Sequence, residues 1–252
     1  MHIFAQAFWL PKEGNSIEEY EDAFWPKRQV DEGVEAFRFA VADGATETSF
    51  SKLWAEMLVH AYCSRAFDNA KLYKSLRKLQ RSWLEQVSKK PLPWFAEEKL
   101  RSGAFSSIIG LTVNQANSTN KSVASWKAMA VGDSCLFQVR GDDLITSFPL
   151  THSQQLNSRP SLVSSNPVYN DELRGISVQK SGSLQEGDTF YLVTDALAYW
   201  FLRKIESNER PWVILRDLGT ADAVPFSDWI TDLRETRLIR NDDVTLFRVE
   251  IS

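Results

Sequence analysis

The chain has 252 residues, with 29 Lys and Arg against 33 Asp and Glu, a formal charge of −4 and a sequence pI near 5.5. With 43% hydrophobic and 12% aromatic residues it can bury a large core, which excludes intrinsic disorder and collagen-like or low-complexity architectures. The balance of charge gives no reason to expect nucleic acid or an anionic membrane as a partner.

Two cysteines, Cys63 and Cys135, are too few for a disulfide framework or a Cys-rich zinc site and suggest a reducing, cytoplasmic home. The longest apolar run, Ala196–Leu202, falls far short of the roughly 20 residues that span a bilayer. The apolar N-terminal segment has no Lys or Arg before it and closes at Pro11, so it reads as a first strand and not as a signal peptide. Phe37, Phe39 and Val41 alternate with Arg38 and Ala40, which predicts a strand ending at Asp43-Gly44. From about Phe50 the period becomes helical, with Leu53, Trp54, Met57, Leu58 and Ala61 on one face. A second helix is expected from about Ala70 to Val87, where Leu72, Leu76, Leu79, Trp83 and Val87 are spaced by three and four.

Pro91 and Pro93 break that run; a short helix over Trp94–Leu100 and a buried strand over Phe105–Val113 are expected next. Short strands over Val123–Val131, Leu136–Val139 and Leu144–Phe148, with turn chemistry at Gly132-Asp133 and Gly141-Asp142, read as a meander. Residues 151–167, rich in Ser, Asn, Pro and Gln, read as a surface flap inside one domain spanning 1–252. A strand over Thr189–Thr194 delivers Asp195 to a helix over Ala196–Ile205. Helices near Trp212–Leu218 and Phe226–Leu238 then lead to a last strand over Val244–Ile251. This order lacks the β-α alternation of a parallel sheet; antiparallel sheets covered by helix pairs, an α+β architecture, fit it better.

Four aspartates stand where an apolar strand meets a turn: Asp43, Asp133, Asp195 and Asp242. Each alone is a turn residue or a helix cap. Together at one end of a fold they would repel one another unless cations neutralised them. An oxygen-only donor set selects hard ions such as Mg²⁺ or Mn²⁺ over zinc, and metals held by carboxylates are suited to phosphate ester hydrolysis.

The segments Glu21-Asp22-Ala23-Phe24, the strand into Asp43-Gly44, Gly132-Asp133-Ser134, the strand into Asp195, and Asp242-Asp243-Val244-Thr245 resemble the ordered motifs of the metal-dependent PP2C (PPM) protein phosphatases over residues 18 to 251. The detail around residues 42–51, 102–107 and 194–202 is similar to a bacterial branch of that family and not to its eukaryotic members. The resemblance implies a four-layer α-β-β-α sandwich, two antiparallel sheets flanked by helix pairs. It also implies two Mn²⁺ or Mg²⁺ ions, and cleavage of phosphoserine or phosphothreonine in a phosphorylated protein by a metal-bridging hydroxide. It would make Asp43 the bridging ligand, with Asp195 and Asp242 completing the first metal and the Gly44 carbonyl joining the second. Glu21 and Asp22 would act through water, and Asp133 matches the aspartate of an additional metal in some members.

Departures from the family pattern are also legible. Ile17 stands where a phosphate-holding Arg is usual, leaving Arg28, with Lys27 beside it, as the candidate to fold back over the cleft. Ala45 replaces a His that is a candidate general acid in eukaryotic members, Ala196 replaces a Gly, Tyr199 replaces an acidic residue, and Cys135 replaces an Arg. These gaps keep a second reading open, a non-catalytic module that binds phosphorylated partners or a kinase.

Other constellations carry less. Ser134, His152 and Asp195 could be named as a triad, but the chain has no G-x-S-x-G elbow. His60 and Cys63 read as core packing on an apolar helix. Trp94 and Trp200 are the tryptophans considered for a surface role, and Lys71, Lys74, Arg77, Lys78 and Arg81 read as a solvated stripe.

Overall fold

The computed structural model describes residues 1–32, 36–45, 50–66, 72–89, 102–115, 123–156, 160–170, 177–220 and 224–252. Its strands are β1 (Ile3–Leu10), β2 (Ala23–Trp25), β3 (Val30–Glu32), β4 (Ala36–Ala42), β5 (Phe105–Ser106), β6 (Ile108–Asn114), β7 (Ser125–Val131), β8 (Cys135–Arg140), β9 (Asp143–Phe148), β10 (Val163–Ser164), β11 (Val178–Ser183), β12 (Asp188–Val193) and β13 (Val244–Ile251). The helices among the described residues are α1 (Ser51–Cys63), α2 (Leu72–Val87), α3 (Asp195–Glu206), α4 (Pro211–Asp217) and α5 (Phe226–Glu235). One antiparallel sheet runs β3-β1-β13-β12-β8-β9 and a second runs β11-β7-β6-β4-β2, with β5 and β10 as a small separate pair.

Three apolar layers separate four layers of structure. The inner faces of both sheets meet through Phe39, Val41, Leu111, Trp126, Phe190, Leu192 and Phe247. On the outer face of the second sheet, Trp54, Leu58 and Val59 of α1 and Trp83 and Val87 of α2 cover Ala40, Ala42, Met129 and Val131. On the outer face of the first, Leu197, Trp200 and Phe201 of α3, with Trp212 and Ile230, cover Phe137, Tyr191 and Val193. This is the α-β-β-α arrangement, and period-two alternation explains it, because each central strand presents one set of apolar residues inward and another outward. Burying a side chain of this size contributes about 1.5–3 kcal/mol.

The expected meander is not formed. β6 and β7 pair in the second sheet, whereas β8 and β9 pair in the first, so Gly132-Asp133 carries the chain between sheets. Gly132 has φ +94, and a Cβ there would meet the Ser107 Cβ at 2.6 Å, so the crossing needs glycine. The strand expected over Phe105–Val113 is interrupted at Ser107, whose N–H donates to the Asp43 carbonyl at 2.9 Å while its hydroxyl meets that of Ser134 at 2.5 Å. The 151–167 segment is partly pinned, since β10 pairs with β5 and Asn170 is buried against Ser164. Trp200 is buried in a T-shaped contact with Trp229, so it has no surface role; its ring fills the space under α3. His60 is exposed and packs edge-on against Trp25 instead of lying in the core. Arg77, Lys78 and Arg81 are exposed. The helix expected over Trp94–Leu100, Trp94 itself and Lys71 lie outside the described residues.

At the other end of the first sheet Asp188, fully buried, accepts from Arg140 at 2.7 and 3.0 Å, from Gln138 at 3.0 Å and from the Gln185 N–H at 2.8 Å. Removing a carboxylate that satisfies so many donors strands them. Asp188→Ala should lower unfolding stability by about 2–4 kcal/mol in urea titration without changing metal affinity.

Candidate active site

Strand register brings the acidic residues to one end of both sheets. Ala23 pairs with Ala42, which sets Glu21-Asp22 beside Asp43 in the second sheet. Val193 pairs with both Cys135 and Leu246 in the first sheet, which sets Asp195 beside Asp133 and Asp242-Asp243. Gly44 is bridged to Ser106, and its backbone lies against the acidic pair: a Cβ on it would stand 2.6 Å from the Glu21 carbonyl oxygen and 3.1 Å from Ser51. Gly44→Ala should therefore cost about 1–3 kcal/mol of stability and push Glu21 away from the cluster, which a thermal melt and a Mn²⁺ titration would register together.

Individual side chains are held by specific partners. Asp22, 2% exposed, accepts from the Thr245 hydroxyl at 2.7 Å, which in turn accepts from the Tyr20 hydroxyl. Glu21 accepts from the Ser51 hydroxyl at the start of α1, and its N–H donates to Asp243 Oδ2 at 2.6 Å. Asp243 also accepts from the Lys12 N–H at 2.8 Å, and its own N–H donates to Asp242 Oδ1 at 2.9 Å. Asp195 Oδ1 is buried and has no hydrogen-bond partner among the described residues.

The electrostatics follow from that crowding. Burial, then the charges of Asp22, Asp195, Asp133 and Asp242, hold the Asp43 carboxyl far above the usual carboxylate range. Asp22 is raised in the same way by burial and then by Asp243 and Asp195. Burial, with Asp133 and Asp242 close by, pushes Asp195 up to about 7, and Asp133, chiefly through burial, rises to about 6. Asp242 is raised by burial and by Asp243. A group of carboxylates that cannot all ionise unaided is a site that divalent cations neutralise.

Among the described residues no three His, Cys, Asp or Glu side chains stand in ready metal-ligating geometry. The residues nevertheless fit hard cations: the donors are all oxygen, they come from both sheets, and one buried Asp195 oxygen has no hydrogen-bond partner among the described residues.

A model of the family described as protein phosphatase 2C matches residues 19–235. The chain belongs to the protein phosphatase 2C family. Among solved structures, the Mycobacterium tuberculosis serine/threonine phosphatase PstP/Ppp is similar over 100% of both chains with TM-score 0.61 and 14% identity. PppA of Pseudomonas aeruginosa is similar over 100% of this chain and 99% of its own, with TM-score 0.56 and 17% identity. RsbX in complex with magnesium matches over 100% and 96%, with TM-score 0.55 and 18% identity. At these identities the likeness is one of fold. No curated protein sequence matches the chain.

Within this phosphatase 2C chain the other candidates are dispersed. Ser134 meets Ser107, and the exposed His152 meets the Thr151 hydroxyl at 2.9 Å, so Ser134, His152 and Asp195 form no triad. Cys135 is fully buried, and burial pushes its thiol far up, which makes it inert. Arg28 lies past the end of β2, sharing a groove with Ala36, Phe37 and Arg38 and not with the aspartates, because β2 runs away from the acidic end. Ile17 is 63% exposed. Two residues were missed from sequence. Asp243 ties Lys12, Glu21 and Asp242 together, and the doubled aspartate was its only signal. Arg240, two residues before Asp242, eases ionisation of Asp133, Asp195 and Asp242 by its charge.

Proposed function

We propose that this protein is a Mg²⁺- or Mn²⁺-dependent phosphatase acting on phosphoserine or phosphothreonine in a protein substrate. The observation that carries the reading is the convergence of Asp22, Asp43, Asp133, Asp195 and Asp242 from two sheets into one self-repelling cluster. Asp43, at the seam of the sheets, would bridge two metals, Asp195 and Asp242 would hold the first, and the Gly44 carbonyl the second. A PstP catalytic domain in complex with two manganese ions, on the same fold at TM-score 0.56, supports that number. Bound there, the ions would supply Lewis-acid activation of water and neutralise the phosphoryl charge.

The chain's own groups position the reaction. Asp22, fixed through Thr245, and Glu21, fixed through Ser51, are oriented acceptors for the hydrogens of water at the cluster. Asp133 lies at the edge beside Asp195, with Tyr199 in the place of a further acidic ligand. Ala45 has no proton to give, so protonation of the leaving oxygen falls to water or to another group at the cluster. The competing reading, a module that binds phosphorylated partners or a kinase without hydrolysis, draws on Ile17 and Ala45. Against it, buried carboxylates that repel one another destabilise the fold, and a non-catalytic module gains nothing from keeping them.

Hydrolysis of p-nitrophenyl phosphate and of a phosphothreonine peptide should be undetectable in excess EDTA and restored by Mn²⁺. Turnover that survives EDTA would refute the metal-dependent mechanism; tight phosphopeptide binding without turnover in Mn²⁺ would establish the binding module.

A further inference from the structure

Away from the acidic end, the outer face of the second sheet changes character. Ala40, Gly110 and Met129 form one row across β4, β6 and β7 beneath α1, and the Tyr62 ring rests on Gly110, where a Cβ would stand 2.5 Å from it. Two residues farther along each strand, on the same face, the row is polar. Arg38 pairs with Thr112, Thr112 with Lys127, and Lys127 with Ser181 of β11. Helix α1 ends at Cys63 and the chain turns at Arg65, φ +61, which leaves this row lining a cavity of about 740 Å³.

A second cavity, of about 520 Å³, adjoins the first. Arg38 and Arg65 border both, with Lys127 on one side and Lys27 and Arg28 on the other. No Asp or Glu among the described residues borders either, although the chain as a whole carries a charge of −4. Arg38 is held in place: its Nη1 donates to the Tyr62 carbonyl at 2.9 Å and its guanidinium lies 5.3 Å from the centre of the Tyr62 ring. Its Nε has no hydrogen-bond partner among the described residues, so the fork stands in the groove with donors unmatched. Lys127 and Arg65 are exposed, whereas the Lys180 ammonium reaches the Ser147 carbonyl of β9 at 3.5 Å and faces away.

We propose that these two cavities form one groove that docks an extended acidic segment, rich in Asp and Glu, of a partner protein. Charge complementarity sets the sign of the ligand. The spacing sets its shape: Arg38 and Lys127 are two strand spacings apart, about 10 Å, and Arg28 lies beyond Arg38 on the β2 side, so a single small anion cannot meet them all and a linear one can. A nucleic acid is the poorer match, because the net charge of −4 repels a long polyanion. The groove is remote from the aspartate cluster and does not depend on the phosphatase reading.

The test is fluorescence anisotropy of a labelled hexaglutamate peptide, in EDTA so that no metal draws it to the aspartates. Wild type should bind at low ionic strength and release the peptide as salt rises. Lys127→Glu combined with Arg65→Glu should weaken binding by roughly ten-fold or more, and Lys127→Ala alone by part of that, with melting temperatures close to wild type because both side chains are exposed. Arg77→Glu with Lys78→Glu, on the exposed side of α2, should leave binding within about two-fold of wild type. Absence of peptide binding, or equal weakening in the two double variants, would overturn the proposal. So would tighter binding of an oligothymidylate of equal charge through Lys127 and Arg65, which would make the groove a nucleic-acid site.

Discussion

Replacing Asp43 with asparagine should lower Mn²⁺-dependent turnover by about 10³-fold or more. The bridging carboxylate would place both metals, and the charge stabilisation they supply is worth several kcal/mol, each 1.36 kcal/mol being a factor of about ten. The fold survives, because Asp43 is anchored through its backbone. Its carbonyl accepts from the Ser107 N–H at 2.9 Å and its N–H donates to the Ser107 hydroxyl at 3.3 Å, and asparagine keeps both. Metal-free stability should rise, since Asp43 faces Asp22, Asp195, Asp133 and Asp242 and would lose that repulsion. Initial rates with p-nitrophenyl phosphate, beside a circular dichroism melt, check both halves. A variant with more than a tenth of wild-type turnover would remove Asp43 from the centre.

Asp195→Asn gives the second large effect, and it is read in pH. The folded protein holds the Asp195 carboxyl proton up to about pH 7, well above the ordinary Asp value of 3.8, and that of Asp133 up to about 6. Folded chains therefore bind more protons than unfolded ones between roughly pH 4 and 7, so stability is highest at the acid side of that window and falls as pH rises through it. The metal-free wild type should lose melting temperature from pH 5 to pH 8. Asp195→Asn should flatten that slope, melt about 3–8 °C higher at pH 8 and gain less from saturating Mn²⁺. A parallel pH profile and an equal Mn²⁺ shift in the two proteins would mean that Asp195 serves only as the first residue of α3.

Much of this architecture was legible because strands and helices carry different periods. Val244–Ile251 coincides with β13, and the helical spacing of Leu53, Trp54, Met57 and Leu58 fell within one residue of α1. Each strand that ends in an aspartate could be placed one at a time, and the order of the motifs supplied the site. The sheet crossing at Gly132 was not legible, because Gly-Asp in a hairpin and Gly-Asp in a crossover share a backbone conformation and differ only in what the next strand pairs with. The break at Ser107 was hidden for a similar reason: a β-branched apolar run does not announce the hydrogen bonds that Asp43 and Ser134 impose on it. Trp200 looked available for the surface because a helix face is assigned from neighbours in sequence, whereas Trp229, which covers it, comes from α5. Arg28 and Arg240 are alike as residue types. What separates them is strand direction, since β2 leaves the acidic end and β13 starts there.

The central claim is that the strand-end aspartates hold catalytic metals, and anomalous diffraction at the manganese edge from crystals soaked in Mn²⁺ tests it most directly. The account predicts two strong peaks within ligand distance of Asp43, one shared with Asp195 and Asp242 and the other with the Gly44 carbonyl. Full soaking without a peak at Asp43, or peaks confined to other carboxylates on the surface, would contradict it.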